Sequence, residues 1–319
     1  MKILFIADIH IKLKTKGIPD TWAVNRFNIL QKEVNKVIYS HGVDTVIIGG
    51  DAFDRMPTLE ELAIFISWME SFEIPVYIIP GNHEAVKKDT TFLTVIAKLI
   101  KNPKVKIIDE FFSLENIDFI PYNRLKQYHP SDTDFHGNIL VTHVRGEIPP
   151  HVKPEVPLEL FSRWDIVFAG DLHSYENSQL NIVYPGSPTT TSFHRNLVST
   201  GVVVFDSETP KDYEWVELNV PQLIRKTVKA GEDMPATTFH HTVYEVEGDI
   251  QELSKINNTE LLDKKVVKRN SEATLILDPK LTIVEELSEY LRYILELPDN
   301  TVDEVVGLFN DNINKINME

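Results

Sequence analysis

The chain has 319 residues, 42% of them hydrophobic and 25% charged, with 48 acidic against 32 basic side chains, a formal net charge of −16 and no cysteine. That is the composition of an ordinary globular protein; it excludes disulfides and thiolate metal sites, and it argues against a stand-alone nucleic-acid binder, which would usually be basic. Any metal must sit on His, Asp, Glu or Asn, a donor set that favours harder ions such as manganese or magnesium, with zinc or iron accessible through imidazoles.

The length suits two domains, or one domain with an appendage. The first apolar run, Ile3 to Ala7, is cut by Asp8 and is too short for a signal peptide. No later stretch approaches the roughly 20 apolar residues of a membrane span. A cytoplasmic location without membrane contact is therefore expected.

In chain order, Lys2–Ala7, Thr45–Ile48, Val76–Ile79, Ile139–Val141 and Ile166–Ala169 are rich in Ile and Val, as strands covered on both faces should be. Between them, Trp22 to Ser40 carries Phe27, Leu30, Val34 and Val37 at helical spacing. Thr58 with Glu61 forms a capping box for a helix ending near Phe72, and Asp89 is placed to cap another reaching Ile100. This alternation predicts an α/β fold, a layered α/β/β/α sandwich over residues 1–220. Ile182–Tyr184, Gly201–Phe205 and Tyr213–Leu218 read as strands without intervening helices, expected to complete the second sheet.

Residues 221–280 read as a small α+β capping domain, with strands at His240–Val246 and Ala273–Leu277. The end, 281–319, reads as helical. Thr282 with Glu285 caps one helix, Pro298 stops it, and Thr301 with Glu304 opens another. With 9 acidic and 2 basic side chains from Ile283 to Glu319, this segment is not a DNA contact. It is either a helical hairpin packed on its own domain or a docking element for a partner helix.

Five short segments each follow an apolar run and each end in ligand-type residues: Asp8-Ile9-His10, Gly50-Asp51-Ala52-Phe53-Asp54, Gly81-Asn82-His83-Glu84, Thr142-His143 and Gly170-Asp171-Leu172-His173. Ligands of α/β sheets bind beyond the carboxyl ends of the strands, so five such clusters converge on one edge. Two adjacent divalent metals need a shared ligand, and Asp51 is the natural candidate for it. Asp8 with His10, and Asp171 with His173, have the i, i+2 relation that points side chains the same way along a strand. Asn82 offers an amide oxygen and His143 an imidazole nitrogen. His83, beside a ligand, is placed to protonate or stabilise a leaving oxygen. Asp54 either orients His83 or another ligand, or caps a helix. Glu84 is either an acceptor behind the ligands or a solvated loop residue. Arg145 and Arg195 are candidates for phosphate contact.

The order Asp-x-His, Gly-Asp-x-x-Asp, Gly-Asn-His-Glu, His, Gly-x-x-His resembles the calcineurin-like metallophosphoesterase superfamily over about residues 1–205. Asp51 to Asp54 with Pro57, and Tyr184-Pro185-Gly186-Ser187-Pro188, resemble its SbcD branch, the nuclease subunits of DNA break-processing complexes and of phage recombination. The resemblance implies one metal on Asp8, His10, Asp51 and His173, and a second on Asp51, Asn82, His143 and the residue at position 171. The family pattern has histidine where this chain has Asp171, which leaves either direct carboxylate ligation or a weaker, water-mediated second site.

Also implied are two manganese ions (magnesium being the alternative), 3′-to-5′ exonuclease action on duplex DNA with endonuclease action on single strands, an SbcC-like coiled-coil ATPase partner, and a homodimer. The competing expectations are a phosphatase of the same superfamily and a largely structural clamp. Ile79-Pro80 stands where the protein phosphatases carry a phosphate-gripping arginine, which favours phosphodiesters.

Overall fold

The structure, a computed structural model, describes residues 1–319 except 88–89, 132–133, 268–280, 296 and 317–319, with the backbone alone for 311–316. β1 (Lys2–Ile6), α1 (Asp20–His41), β2 (Thr45–Ile48), α2 (Leu59–Ser71) and β3 (Val76–Ile78) come first. A ribbon of β4 (Ala85–Lys87) and β5 (Thr90–Thr91) and the short α3 (Leu93–Ile96) precede β6 (Val105–Ile107), β7 (Phe112–Leu114), β8 (Ile117–Ile120), β9 (Ile139–His143), β10 (Ile166–Gly170) and β11 (Ile182–Val183). Then come β12 (Gly201–Asp206), β13 (Glu214–Glu217), β14 (Leu223–Lys229), β15 (His241–Gly248), α4 (Ile250–Ser254), β16 (Leu262–Val267), α5 (Ile283–Glu289) and α6 (Asp299–Ile316).

Two sheets carry the layers. One has the order β13-β12-β1-β2-β3-β6, the other β11-β10-β9-β8-β7. β1, β2, β3 and β6 are parallel neighbours, as are β8 to β11. Parallel strands covered on both faces need Ile, Val and Phe throughout, which is what β1, β2 and β10 supply. Ile3, Phe5, Phe168 and Phe205 fill the space between the sheets, with the Phe168 and Phe205 rings stacked at 4.1 Å. The outer face of the first sheet packs on Phe27, Leu30 and Val34 of α1 and on Phe65 and Met69 of α2. On the second sheet the outer layer is made of 3₁₀ turns (Tyr122–Gln127, Leu158–Phe161) and the aromatic cluster Tyr128, Phe135, Phe161 and Trp164.

Several expectations change. Gly201–Asp206 and Glu214–Glu217 extend the first sheet, not the second, because β12 pairs antiparallel with the open edge of β1 (Lys2 opposite Asp206). Only Ile182–Val183 joins the second sheet. The helix expected from Asp89 to Ile100 is reduced to Leu93–Ile96 behind the β4–β5 ribbon, and Asp89 itself lies outside the described residues, as does the strand expected at Ala273–Leu277. α6 begins at Asp299 and not after Thr301, since the Pro298 carbonyl already accepts from the N–H groups of Thr301 and Val302.

The chain divides into two compact units. The first contains Met1–Val228, Glu232–Val246 and Asn257–Lys264, including both sheets of the sandwich. There His241 Nε2 donates to the Gly17 carbonyl and its ring meets Trp22 at a tilt, tying β15 to the start of α1. The second contains Lys229–Gly231, Glu247–Ile256 and Lys265–Glu319. Within it, Thr282 and Glu285 form the expected capping box of α5, and Arg292 pairs with Asp299 at the start of α6. No helix among the described residues is long and apolar enough to cross a membrane.

The capping box of α2 does more than start a helix. Glu61 is fully buried and accepts from the N–H groups of Thr58 (2.7 Å) and Leu13 (2.9 Å) while Arg55 pairs with it. Burial works against its charge, but these donors outweigh it and hold the carboxyl below its usual value. Its contribution is therefore present above the ordinary carboxylate pKa and lost as the pH falls below it. Glu61→Ala is expected to lower the unfolding free energy by about 2–3 kcal/mol, read from urea denaturation at neutral pH, because it strands a buried N–H. A loss under about 0.5 kcal/mol, the size of an ordinary surface change, would refute this role.

Candidate metal centre

Seven expected ligands meet where β1, β2, β3, β9 and β10 end. Asp51 Oδ2 is the hub: it stands 3.7 Å from His10 Nε2, 3.8 Å from His83 Nε2 and 3.6 Å from His143 Nε2. Asp8, His10 and His173 form one group with ligand atoms within 4.8 Å of one another; Asp8, Asp51 and His143 form another; His10, Asp51 and His83 form a third. The central carboxylate thus serves two neighbouring positions, as a shared ligand must.

Two contacts test whether this donor set fits cations. His10 Nε2 and His173 Nε2 face each other at 3.0 Å. The Asn82 amide oxygen lies 2.9 Å from His143 Nε2 and faces the Asp51 carboxylate, so it meets acceptors unless the amide is turned over. Facing lone pairs at this spacing fit a positive ion held among them. Oxygen and imidazole donors without sulfur suit manganese or magnesium.

The backbone that brings the ligands together is not extended. Asp8 (φ 55°), His10 (φ 48°), Asp51 (φ 51°) and Asp171 (φ 108°) all have positive φ, and only two other non-glycine residues share that among the described residues. Such strain persists where surrounding structure imposes it, typically at functional sites. Asp8 and His10 therefore converge through turned backbone and not, as the i, i+2 reading assumed, through strand pleating. The N–H groups of Asp8 and His10 donate to the carbonyls of Gly50 and Asp51, and Asp171 N–H donates to the Asp8 carboxylate at 3.0 Å. A Cβ at Gly81 would overlap the Asp51 side chain, which explains that glycine.

Support comes from residues behind the ligands. Glu84 is fully buried and accepts from the N–H groups of Asp51, Phe53 and Gly81 at 2.8–2.9 Å, so it is no solvated loop residue. His143 Nδ1 is held by the Gly49 carbonyl at 2.9 Å, leaving Nε2 for the centre. His83 Nδ1 lies 2.5 Å from the main-chain carbonyl of Asp54. Asp54 thus orients His83, but through its backbone; its carboxylate pairs with Lys12 at 2.7 Å, and the cap of α2 is Thr58. The Ser187 hydroxyl donates to the Asp8 carbonyl at 2.7 Å, and Thr191 contacts His173 Nδ1 at 3.3 Å. Ser187 was legible only as part of the Tyr184-to-Pro188 run, and Thr191 lies beyond it.

The two arginines differ. Arg145 Nε donates to Asp171 Oδ2 at 3.2 Å, and Asp171 Oδ1 lies 4.0 Å from His143 Nε2. Arg145 Nη2 also donates to Oδ1, at 3.4 Å, so the guanidinium spans both oxygens of Asp171 while Oδ1 faces the centre. Arg195 instead engages Glu245 at 2.9 Å and Thr227 at 2.7 Å, and no ligand is among its partners.

Crowding of buried acids governs protonation here. Burial, reinforced by Asp51 and Asp171, raises the Asp8 carboxyl well above its usual value. Burial opposes protonation of His143, but Asp51, Asp8 and Asp171 outweigh it and push the imidazole up to about 9. Burial, with His173, His83 and His143, lowers His10 to about 2, so it stays neutral and ready to ligate.

Two outcomes follow. A cation must displace protons from this cluster, so apparent metal affinity is expected to rise with pH toward about 9 as His143 yields its proton. Calorimetry of manganese binding at pH 7 in two buffers of different ionisation enthalpy should show release of roughly one proton or more; none would mean that His143 is not a ligand. Arg145→Ala removes the partner of a nearly buried carboxylate. The metal-free protein should lose about 1 kcal/mol, discounted for the partial exposure of the guanidinium. The rise in Tm on adding manganese should then exceed that of wild type; equal rises would place Asp171 away from the cation.

Known proteins resemble this chain in sequence. The Calcineurin-like phosphoesterase family matches residues 1–175. The chain is 38% identical over 320 aligned residues to "Probable exonuclease subunit 1" of Escherichia phage T5, covering 96% of this chain and 97% of that protein. Among solved structures, TT1561 of Thermus thermophilus covers 68% of this chain and 99% of its own at 13% identity and a TM-score of 0.43. The Pseudomonas putida nuclease MPE covers 64% and 84% at 15% identity and a TM-score of 0.32. The chain is a metal-dependent phosphoesterase that belongs to the calcineurin-like phosphoesterase family.

Proposed function

We propose that the substrate is DNA and that the chain is the nuclease subunit of an SbcCD-like recombination and repair complex, acting as a 3′-to-5′ exonuclease on duplex ends and an endonuclease on single strands. The observation that carries this reading is the 38% identity, over 96% of the chain, to a probable exonuclease subunit of a phage. Asp8, His10, Asp51 and His173 would hold one ion and Asp51, Asn82, His143 and Asp171 the other, manganese being preferred. Bound there, the ions supply an activated water and neutralise charge on the phosphate oxygens.

The chain's own groups do the rest. His83, fixed at Nδ1 by the Asp54 carbonyl, presents Nε2 to the centre, where it donates a proton to the departing oxygen. Arg145 holds Asp171 in place and offers its remaining donors to a phosphate oxygen. A net charge of −16 gives little affinity for a polyanion, which supports a DNA-binding partner, the SbcC-like coiled-coil ATPase. The C-terminal helices are its proposed docking element, residues 221–280 the capping domain, and the sandwich a homodimer surface.

End-labelled linear duplex DNA incubated with the isolated chain in manganese should release nucleotides, and Asp51→Ala should reduce release to background. Hydrolysis of a phosphomonoester with none of DNA would refute the nuclease reading in favour of a phosphatase.

A further inference from the structure

Beside the metal centre lies a cleft of about 290 Å³ between β4 and the 3₁₀ turn Tyr122–Gln127. Tyr122, Leu125, Val86, Lys87 and Lys126 are among the residues lining it. Both walls grow out of the site. β4 starts one residue after Glu84, and its Ala85 N–H donates to the Asn82 carbonyl. On the other wall, the Tyr122 N–H donates to the Pro80 carbonyl, and the Tyr122 ring meets the His143 imidazole edge-on at 6.0 Å.

The lining combines three chemistries. Tyr122 is a half-buried aromatic face, and Leu125 with Val86 forms an apolar wall. Lys87 and Lys126 are exposed and make no ion pair among the described residues, unlike Lys12, Arg145 and Arg195, whose cations are occupied by Asp54, Asp171 and Glu245. Uncommitted cations next to an aromatic ring are notable in a chain of net charge −16. Bases stack on such rings regardless of identity, while lysines track the phosphates on either side.

We infer that this cleft is a subsite for one unpaired nucleotide flanking the scissile phosphate, with Tyr122 and the apolar wall receiving the base and Lys87 and Lys126 the adjacent phosphates. The inference rests on the nuclease reading above and adds to it where the substrate strand leaves the metal centre. A base in a duplex is stacked and paired, so the flanking base must be unstacked before its face can meet the Tyr122 ring. A strand that is single or frayed satisfies that at the least cost.

The test is steady-state cleavage of a 5′-fluorescent single-stranded oligonucleotide by the full chain in manganese, across a range of salt concentrations. Wild type is compared with Lys87→Glu/Lys126→Glu, with Lys87→Arg/Lys126→Arg and with a remote reversal on α1, Lys32→Glu/Lys36→Glu. Loss of two phosphate contacts should raise KM roughly tenfold or more with little change in kcat. It should also flatten the slope of log(kcat/KM) against log salt by about 1.4, and the arginine pair should retain wild-type behaviour. Tyr122→Ala should raise KM by roughly tenfold through lost stacking. An unchanged KM and salt slope in the glutamate pair, or an equal change from the α1 reversal, would overturn the subsite while leaving the nuclease intact. Failure of wild type to cleave both the oligonucleotide and bis-p-nitrophenyl phosphate would overturn the nuclease reading, and the subsite with it.

Discussion

The metal centre depends on one buried carboxylate that is not itself a ligand. Glu84 accepts three backbone N–H groups, from Asp51 and Phe53 after β2 and from Gly81 after β3. Those donors belong to two separate loops, and in water each would be satisfied independently. Burying them together against one side chain fixes the distance between the loops that carry Asp51 and Asn82. Burial and the nearby Asp51 charge push Glu84 up to about 7, so holding it there costs free energy. The three N–H donors offset that cost, and the strained φ of Asp51 persists because its own N–H is among them.

A second tie crosses the sandwich. His143 at the end of β9 bonds through Nδ1 to the Gly49 carbonyl at the end of β2, so the second sheet delivers its imidazole against the first. Gly50 and Gly170 belong to the same requirement, since a Cβ on either would meet the His143 ring at 2.5 and 2.6 Å. The Ser187 hydroxyl then closes the back of the centre on Asp8. The motif glycines and the Gly-Ser-Pro turn thus serve the close approach of chain segments, and the acids and histidines are the groups that could hold ions.

Much of this was legible because ligand chemistry leaves a local signature. Asp8, His10, Asp51, Asn82, His143, Asp171 and His173 each follow an apolar strand, and an apolar run ending in a ligand-type residue is readable without a structure. The capping boxes at Thr58 and Thr282 are equally local, and both are present. Long-range choices were not readable. That β12 would pair with β1 depends on which sheet edge is open, and the strand itself, Gly201–Asp206, is as apolar as those of either sheet. β8 was missed because its apolar run is broken by a buried Asp118, satisfied by Ser113, Gly137 and Trp164. Nor does spacing reveal that Arg145 would be committed to Asp171, or that Asp54 would orient His83 by its carbonyl.

The pairing of Arg145 with Asp171 bears on how an acidic site can admit a phosphate ester. Asp8, Asp51 and Asp171 crowd one another, with Glu84 behind Asp51, and the region stores protons on Asp8 and His143 to tolerate it. A phosphodiester approaching that cluster meets repulsion until cations replace the protons. Asp171 makes the cluster more negative than a neutral imidazole would, and Arg145 cancels that excess locally without adding net charge. That offset tempers the pull on divalent ions and leaves a part-exposed guanidinium beside the centre. Placing the cations at the rim and the anions beneath it resolves the conflict between holding metal and admitting phosphate.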